Sequence, residues 1–239
     1  MSSPLPNVEC NGDGSVPVTS FAEVVVVRHG ETVWNSSRII QGHLDSELNE
    51  AGKNQAILVA DRLSKESKFT AVYSSDLKRA AETAQIIANK CNLPEVILDP
   101  DLRERHLGVL QGLTLRDASK LKPEAYKAFL SSNPEKDIPG GGESVNQLHQ
   151  RCTSSVERIA RKHIGERILV VTHGGVLREL YKQAVPGWSG DLKVLNTSVN
   201  VFHICDSENC WTLETWGDIS HLHGTGFPEN SFGGDRTSG

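Results

Sequence analysis

A chain of 239 residues, 37% hydrophobic and 23% charged, with 21 glycines and 10 prolines, has the composition of a soluble globular protein with chain enough for a sizeable α/β core. Its net charge of -5 argues against a nucleic-acid binder, which would carry a basic surplus, but leaves room for a local arginine cluster facing a small anion. No apolar run reaches transmembrane length, and residues 1–20 have neither a basic start nor an apolar core, so the expectation is a cytoplasmic protein with no membrane segment and no targeting segment.

Residues 1–20 read as a disordered polar extension. Glu23-Val24-Val25-Val26-Val27 then predicts a strand buried on both faces of a parallel sheet, and the run stops at Arg28-His29-Gly30. Thr32 to Ser46 is polar and irregular. A helix capped by Asn49 follows, with Leu48, Ala56, Val59, Ala60 and Leu63 giving it one apolar face. Phe69 to Tyr73 reads as a short strand, and Ser74-Ser75-Asp76 offers caps to the next helix. That helix buries Leu77, Ala80, Ala81, Ala84, Ile87 and Ala88. Arg79 lies off the stripe in the first turn, where a cation is ill placed unless an anion shares the helix N-terminus.

Val96 to Leu98 predicts another strand, and Leu102 to Gly108 a charge-dense loop in which His106 reads as a surface histidine. Residues 111–131 suggest two short helices, the second opening at Pro123. After the loop at Pro139-Gly140-Gly141-Gly142, a helix from about Glu143 to His163 turns Val145, Leu148, Cys152, Val156 and Ile159 inward. Ile168 to Val171 is a second apolar strand ending in Thr172-His173-Gly174-Gly175, followed by a helix over Val176 to Gln183. Val199 to Cys205 and Trp211 to Thr215 predict an antiparallel hairpin, and residues 223–239 a flexible tail. The strand-to-helix rhythm predicts a three-layer α/β/α sandwich with a mostly parallel sheet, one domain over residues 21–222.

The five cysteines show no C-x-x-C pair and form no disulfide framework. Cys205 and Cys210 can face each other across a hairpin, but a reducing compartment argues against their being bridged. Cys152 and Arg158 have the C-x5-R spacing of cysteine-dependent phosphatases. That chemistry needs a glycine-rich anion loop, whereas this segment sits on the apolar stripe of a helix, so Cys152 is expected in the core.

Two histidines, each at the end of an apolar strand and each followed by glycine, are harder to attribute to packing than one. With Arg28, Arg79 and a carboxylate such as Glu104, they suit a phosphoryl group: arginine offers a rigid donor fork, imidazole a nucleophile, and the carboxyl a proton for the leaving oxygen. Glu31 and Glu143 are other carboxylates in the same segments. The glycines after His173 would let a helix N-terminus approach the same anion.

Arg28-His29-Gly30-Glu31-Thr32, Ser74-Ser75-Asp76-Leu77-Lys78-Arg79-Ala80, Leu102-Arg103-Glu104, Gly140-Gly141-Gly142-Glu143-Ser144 and Thr172-His173-Gly174-Gly175, in this order, resemble the histidine phosphatase superfamily, in its phosphoglycerate mutase-like branch. The resemblance implies that fold over residues 21–222, with His29 as the phosphorylated nucleophile. It implies that Arg28, Arg79 and His173 clamp the transferring oxygens, and that Glu104 serves as proton donor and then activates water. Thr32, Asn35, Gln41, Gly42 and Gly174 match positions that approach the phosphate or the substrate. The family needs no metal, and no cofactor is implied. Its expected partner is a small phosphorylated metabolite; neither nucleic acid nor membrane is expected, and nothing fixes an oligomeric state.

The resemblance covers both phosphatases and mutases. Mutases of this type hold a second anion through a lysine after the E-R-H segment and paired arginines in a long insertion. Here Gly112-Leu113-Thr114-Leu115 stands in the lysine's place, and the short interval Arg116 to Gly142 has no Arg-Arg pair. The expectation is therefore a metal-independent phosphatase acting on a small phosphomonoester through phosphohistidine. Mutase-type transfer is the alternative, and a non-catalytic phospholigand-binding module the remote one. Selectivity is expected from residues 36–48 and 105–140.

Overall fold

Successive side chains of a strand point to opposite faces of its sheet, and the valine run of β1 (Phe21–Arg28) fills both. In the computed structural model, which describes residues 20–188, 190, 192–207, 210–224 and 226, the elements after β1 are α1 (Val33–Ser36), α2 (Glu50–Leu63), β2 (Ala71–Ser74), α3 (Lys78–Lys90), β3 (Val96–Leu98), α4 (Leu115–Leu121), α5 (Pro123–Phe129), α6 (Val145–Arg161), β4 (Arg167–Thr172), α7 (Gly174–Ala184), β5 (Val199–Cys205) and β6 (Trp211–Asp218). The extension and tail expected at the two ends lie outside the described residues, apart from Ser20, His223, Gly224 and Gly226. Val24 and Val26 pack with Leu148, Cys152 and Val156 of α6 and Val176 and Leu180 of α7. Val25 and Val27 pack with Val59 and Leu63 of α2 and Ala80, Ala84 and Ile87 of α3. All four valines are fully buried, each contributing roughly 1.5–3 kcal/mol.

The result is the expected α/β/α sandwich. Its six strands run β3-β2-β4-β1-β5-β6, and β5 alone opposes the others in direction. A third, smaller cluster of Ile40, Leu107, Leu110, Ala118, Ala125 and Ile138 joins the loop after α1 to the segment carrying α4 and α5. No helix among the described residues is long and apolar enough to cross a membrane.

Several local expectations need correction. The stretch after Thr32 is not wholly irregular: Thr32 and Asn35 form a reciprocal capping box around the single turn α1. Helix α3 is not capped by its own serines or by Asp76. Asp45, distant in sequence, accepts from the Lys78 N–H at 3.0 Å, Asp76 pairs with Arg103, and Ser75 turns inward. The hairpin β5–β6 brings Cys205 and Cys210 together with Cα atoms 5.4 Å apart, and the structure joins them as a disulfide, against the expectation of free thiols.

Helix α2 presses unusually close to the chain leaving β1. A Cβ on Gly52 would lie 2.0 Å from the Glu31 carbonyl oxygen, and one on Gly30 would lie 2.4 Å from the Gly52 carbonyl oxygen. Backbone on both sides leaves nothing to yield. Gly52→Ala is expected to lower the urea-unfolding free energy by about 1–3 kcal/mol, the usual cost of overpacking; unchanged stability would show that this contact is loose.

Candidate active site

The parallel register of β1 and β4 sets Arg28 opposite Thr172, so His29 and His173 leave the sheet side by side. The His29 N–H donates to the Thr172 carbonyl at 3.0 Å, and the two imidazole rings lie 5.2 Å apart between centroids, tilted by 58°. Arg28, His29, Arg79, Glu104 and His173 are all fully buried. Among the described residues, no three His, Cys, Asp or Glu side chains gather as metal ligands would.

His29 Nδ1 lies 2.7 Å from the Gly30 carbonyl oxygen. A carbonyl only accepts, so Nδ1 carries the ring hydrogen and Nε2 the lone pair. Burial, then the Arg79 and Arg28 guanidiniums, hold the His29 pKa well below its ordinary value, which keeps the ring neutral. His173 is pushed the same way by burial, then by Arg79, His29 and Arg28. Its Nε2 meets Ser75 Oγ at 2.8 Å. When that hydroxyl donates, the ring hydrogen sits on Nδ1, which has no partner among the described residues.

Arg79 is held by backbone carbonyls, donating to Gly42 at 2.7 Å and Leu44 at 3.1 Å, and burial lowers its pKa to about 10. Gly42 therefore steadies Arg79 through its carbonyl. Its left-handed backbone at φ +52 and the Gln111 amide, 2.1 Å from where a Cβ would stand, suit glycine there. Arg28 donates to the Val194 carbonyl at 2.6 Å and runs beside Gly174, whose Cβ would stand 3.6 Å from its Nε. The Thr32 hydroxyl engages the amide oxygens of Asn35 and Gln41, both at 3.0 Å. That leaves Asn35 Nδ2 and Gln41 Nε2 as buried donors with no partner among the described residues, as is Arg79 Nε. Buried donors lacking a protein acceptor call for a partner from outside the chain, an anion or an ordered water.

Glu104 occupies the N-terminus of α7. Its Oε2 accepts from the Gly175 N–H at 2.9 Å and its Oε1 from the Arg105 N–H at 2.8 Å. Of the amides expected to face an anion at this helix N-terminus, that of Gly175 is thus taken by a carboxylate. A Cβ on Gly175 would stand 2.1 Å from Glu104 Oε1, so the glycine makes room for the acid. The other carboxylates are committed elsewhere. Glu143 holds Arg151 through both oxygens, and Glu31 accepts from Asn49 Nδ2 at 2.7 Å. His106 is not a surface histidine: it is half-buried, its ring 4.8 Å from that of His43, which reaches the Glu104 carbonyl at 2.6 Å. Cys152 is buried on α6 with its thiol pushed far up by desolvation, and Arg158 pairs with Asp99 at 2.7 Å, so the C-x5-R spacing forms no site.

Ser75 and Gly175 escape the sequence reading. Ser75 was legible as a local cap, and its Oγ does accept from the Leu77 N–H at 3.3 Å, but its contact with His173, 98 residues away, was not. The glycine pair after His173 signalled a close approach without saying to what.

Strand-end histidines, buried arginines and a buried carboxylate together have the chemistry that a phosphoryl group requires. The chain matches the histidine phosphatase superfamily (branch 1) over residues 24–219, and it belongs to that family. By class it is a phosphomonoester hydrolase. It is 63% identical over 219 residues to phosphoglycerate mutase-like protein 4 of Arabidopsis thaliana, covering 92% of this chain and 95% of that one. It is 53% identical to the metal-independent phosphoserine phosphatase of the same plant, covering 91% and 90% of the two chains. Among solved structures, Bacillus stearothermophilus YhfR superposes with a TM-score of 0.73 at 32% identity, over 84% of this chain and 99% of that one.

The buried histidines tie stability to pH. In the unfolded chain an imidazole takes up a proton near 6.5, whereas His29 and His173 resist it in the fold, and burial holds His221 at about 4. Unfolded molecules thus bind more protons below that value, and stability is full above it and lost as pH falls. The urea midpoint is expected to drop between neutral and mildly acidic pH, with a shallower drop in His29→Asn/His173→Asn. Equal slopes in the two proteins would contradict the assignment.

Proposed function

We propose that this chain is a metal-independent phosphatase that hydrolyses a small phosphomonoester through a phosphohistidine on His29. One observation carries the reading: the Gly30 carbonyl holds the Nδ1 hydrogen, leaving the lone pair of a neutral imidazole on Nε2 amid buried guanidinium groups. Nε2 attacks phosphorus, the ester P–O bond breaks, and the Glu104 carboxyl gives its proton to the leaving oxygen. Glu104 then takes a proton from water as the water oxygen attacks, the N–P bond breaks, and inorganic phosphate leaves. Arg28, Arg79, His173 and the amides of Asn35 and Gln41 stabilise the charge spreading over the phosphoryl oxygens in both steps. Gly174 lends the close backbone approach beside Arg28.

For the leaving group, the relative named as a phosphoserine phosphatase supports phosphoserine as the first substrate to test. Selectivity falls to the two loops joined where the Ile40 N–H donates to the Leu113 carbonyl. A metabolite panel assayed in excess EDTA, with His29→Ala as the blank, tests the reading. Metal dependence would sink it, and so would faster conversion of 3- to 2-phosphoglycerate than release of phosphate.

Wild-type enzyme quenched during turnover is expected to carry an acid-labile, base-stable phosphoryl group that His29→Ala lacks; a label persisting in the variant would place the nucleophile elsewhere. Gly175→Ala pushes a methyl into the Glu104 carboxylate. It is expected to slow single-turnover phosphorylation roughly 10²-fold or more with phosphoserine, whose alkoxide needs the proton, and far less with p-nitrophenyl phosphate, whose phenolate does not, while the water step slows alike for both. Equal slowing of phosphorylation with both substrates would remove Glu104 from the proton-transfer role.

A further inference from the structure

We propose that Thr83 and Asn196 are positioning residues that clamp the His29–Gly30 peptide from its two sides and so decide which imidazole nitrogen receives the phosphoryl group. The inference rests on His29 being the nucleophile, as read above.

The ring of His29 is oriented through the Gly30 carbonyl, and that carbonyl belongs to the residue type with the widest backbone freedom. Its own peptide is held on one side, where the Glu31 N–H donates to Gln55 Oε1 at 2.9 Å, and the peptide before it has to be held as well. The peptide between His29 and Gly30 has both of its polar groups committed to side chains. The Gly30 N–H donates to Thr83 Oγ1 at 3.1 Å, and the His29 carbonyl accepts from Asn196 Nδ2 at 2.9 Å. Both side chains are buried, with relative exposures of 0% for Thr83 and 1% for Asn196.

Each clamp is itself anchored in the site. Thr83 Oγ1 donates its hydrogen to the Arg79 carbonyl at 2.7 Å, which leaves the oxygen free to accept from Gly30. One hydroxyl thus links the first turn of α3, which carries Arg79, to the backbone of the nucleophile. Asn196 opens a segment wrapped around Arg28: the Thr197 N–H donates to the Arg28 carbonyl at 3.1 Å, and the Arg28 N–H to the Ser198 carbonyl at 3.4 Å. Thr197 holds φ at +54, a left-handed backbone that a β-branched residue adopts only when its surroundings impose it. Asn196 Oδ1 has no partner among the described residues, so the amide is oriented for the bond its nitrogen makes to His29.

The clamp reaches the Gly30 carbonyl through the φ and ψ of Gly30; if the clamped peptide rocks, that carbonyl is carried off Nδ1, and the freed neutral ring can turn and move its hydrogen to Nε2. The lone pair is then on Nδ1. Attack from either nitrogen breaks the same P–O bond, but the two products are distinct phosphohistidines. Packing alone would affect stability without altering which nitrogen is linked.

The full-length protein, as wild type, Thr83→Val, Thr83→Ser and Asn196→Asp, is reacted with p-nitrophenyl phosphate and quenched in alkaline denaturant. The linkage is then read by 31P NMR, and the phosphorylation rate by single-turnover kinetics. Wild type and Thr83→Ser are expected to carry phosphate on Nε2. Thr83→Val is expected to show a detectable Nδ1 share and phosphorylation slowed by about tenfold to a hundredfold, the scale on which small misplacements act. Should circular dichroism show Thr83→Val unfolded, Asn196→Asp decides by the same ratio, since it keeps the shape but sets an acceptor against the His29 carbonyl. Folded variants with wild-type rate and pure Nε2 linkage would overturn the clamp. Absence of any His29-linked phosphate in the wild type would instead overturn the nucleophile, and the clamp with it.

Discussion

When Arg28 pairs with Thr172 across two parallel strands, the residues that follow must leave the sheet at the same level. That register is held by valines packed into cores on both faces, and a shift of one residue would turn every one of them to the wrong side. The same shift would carry His173 away from His29 by about 3.3 Å, the rise of one strand residue. Hydrophobic burial thus fixes the spacing of two imidazoles with which it has no chemical connection. β1 and β4 are central in the strand order, and in open α/β sheets the region beyond the carboxyl ends of such strands is where ligands bind.

Burial does a second thing to the site. Two arginines and two histidines taken out of water repel one another, and the cheapest response is to leave the imidazoles neutral. Neutral imidazole is the form that can attack phosphorus, so desolvation and cationic neighbours suit the proposed nucleophile and concentrate positive potential where the proposed phosphate would sit. The guanidinium of Arg79 spends donors on the Gly42 and Leu44 carbonyls, and Arg28 spends one on Val194. Such tethers pin each cation in place and limit the reorganisation left for the reaction.

Glu104 is placed by a different device. Its carboxylate sits between the Gly175 N–H at the start of α7 and the Arg105 N–H of its own loop, admitted by the absence of a side chain at Gly175. His43, Arg151, Glu143 and His106 gather around the loop that carries it, so the acid is mounted on a polar network and the histidines on an apolar sheet. The proposed proton donor and the proposed nucleophile are thereby supported by separate parts of the molecule.

The sequence was informative wherever a property repeats along the chain. Periodic apolar residues exposed the strands and most helices, because burial imposes a period of two or of about 3.6 whatever the partner. Arg79 stood out because a cation in a first helical turn contradicts the helix dipole, and the duplicated strand-histidine-glycine pattern singled out His29 and His173. Features made by one contact between distant residues left no such trace. Asp45 capping α3, Ser75 meeting His173, Glu104 filling the space at Gly175 and Cys205 bridged to Cys210 each depend on where two segments come to rest. Residue type and spacing determined which groups could do phosphoryl chemistry. Which hydrogen sits on which nitrogen, and which carboxylate stands free of an arginine, was decided only in three dimensions, because a hydrogen bond acts over about 3 Å in space and is blind to separation along the chain.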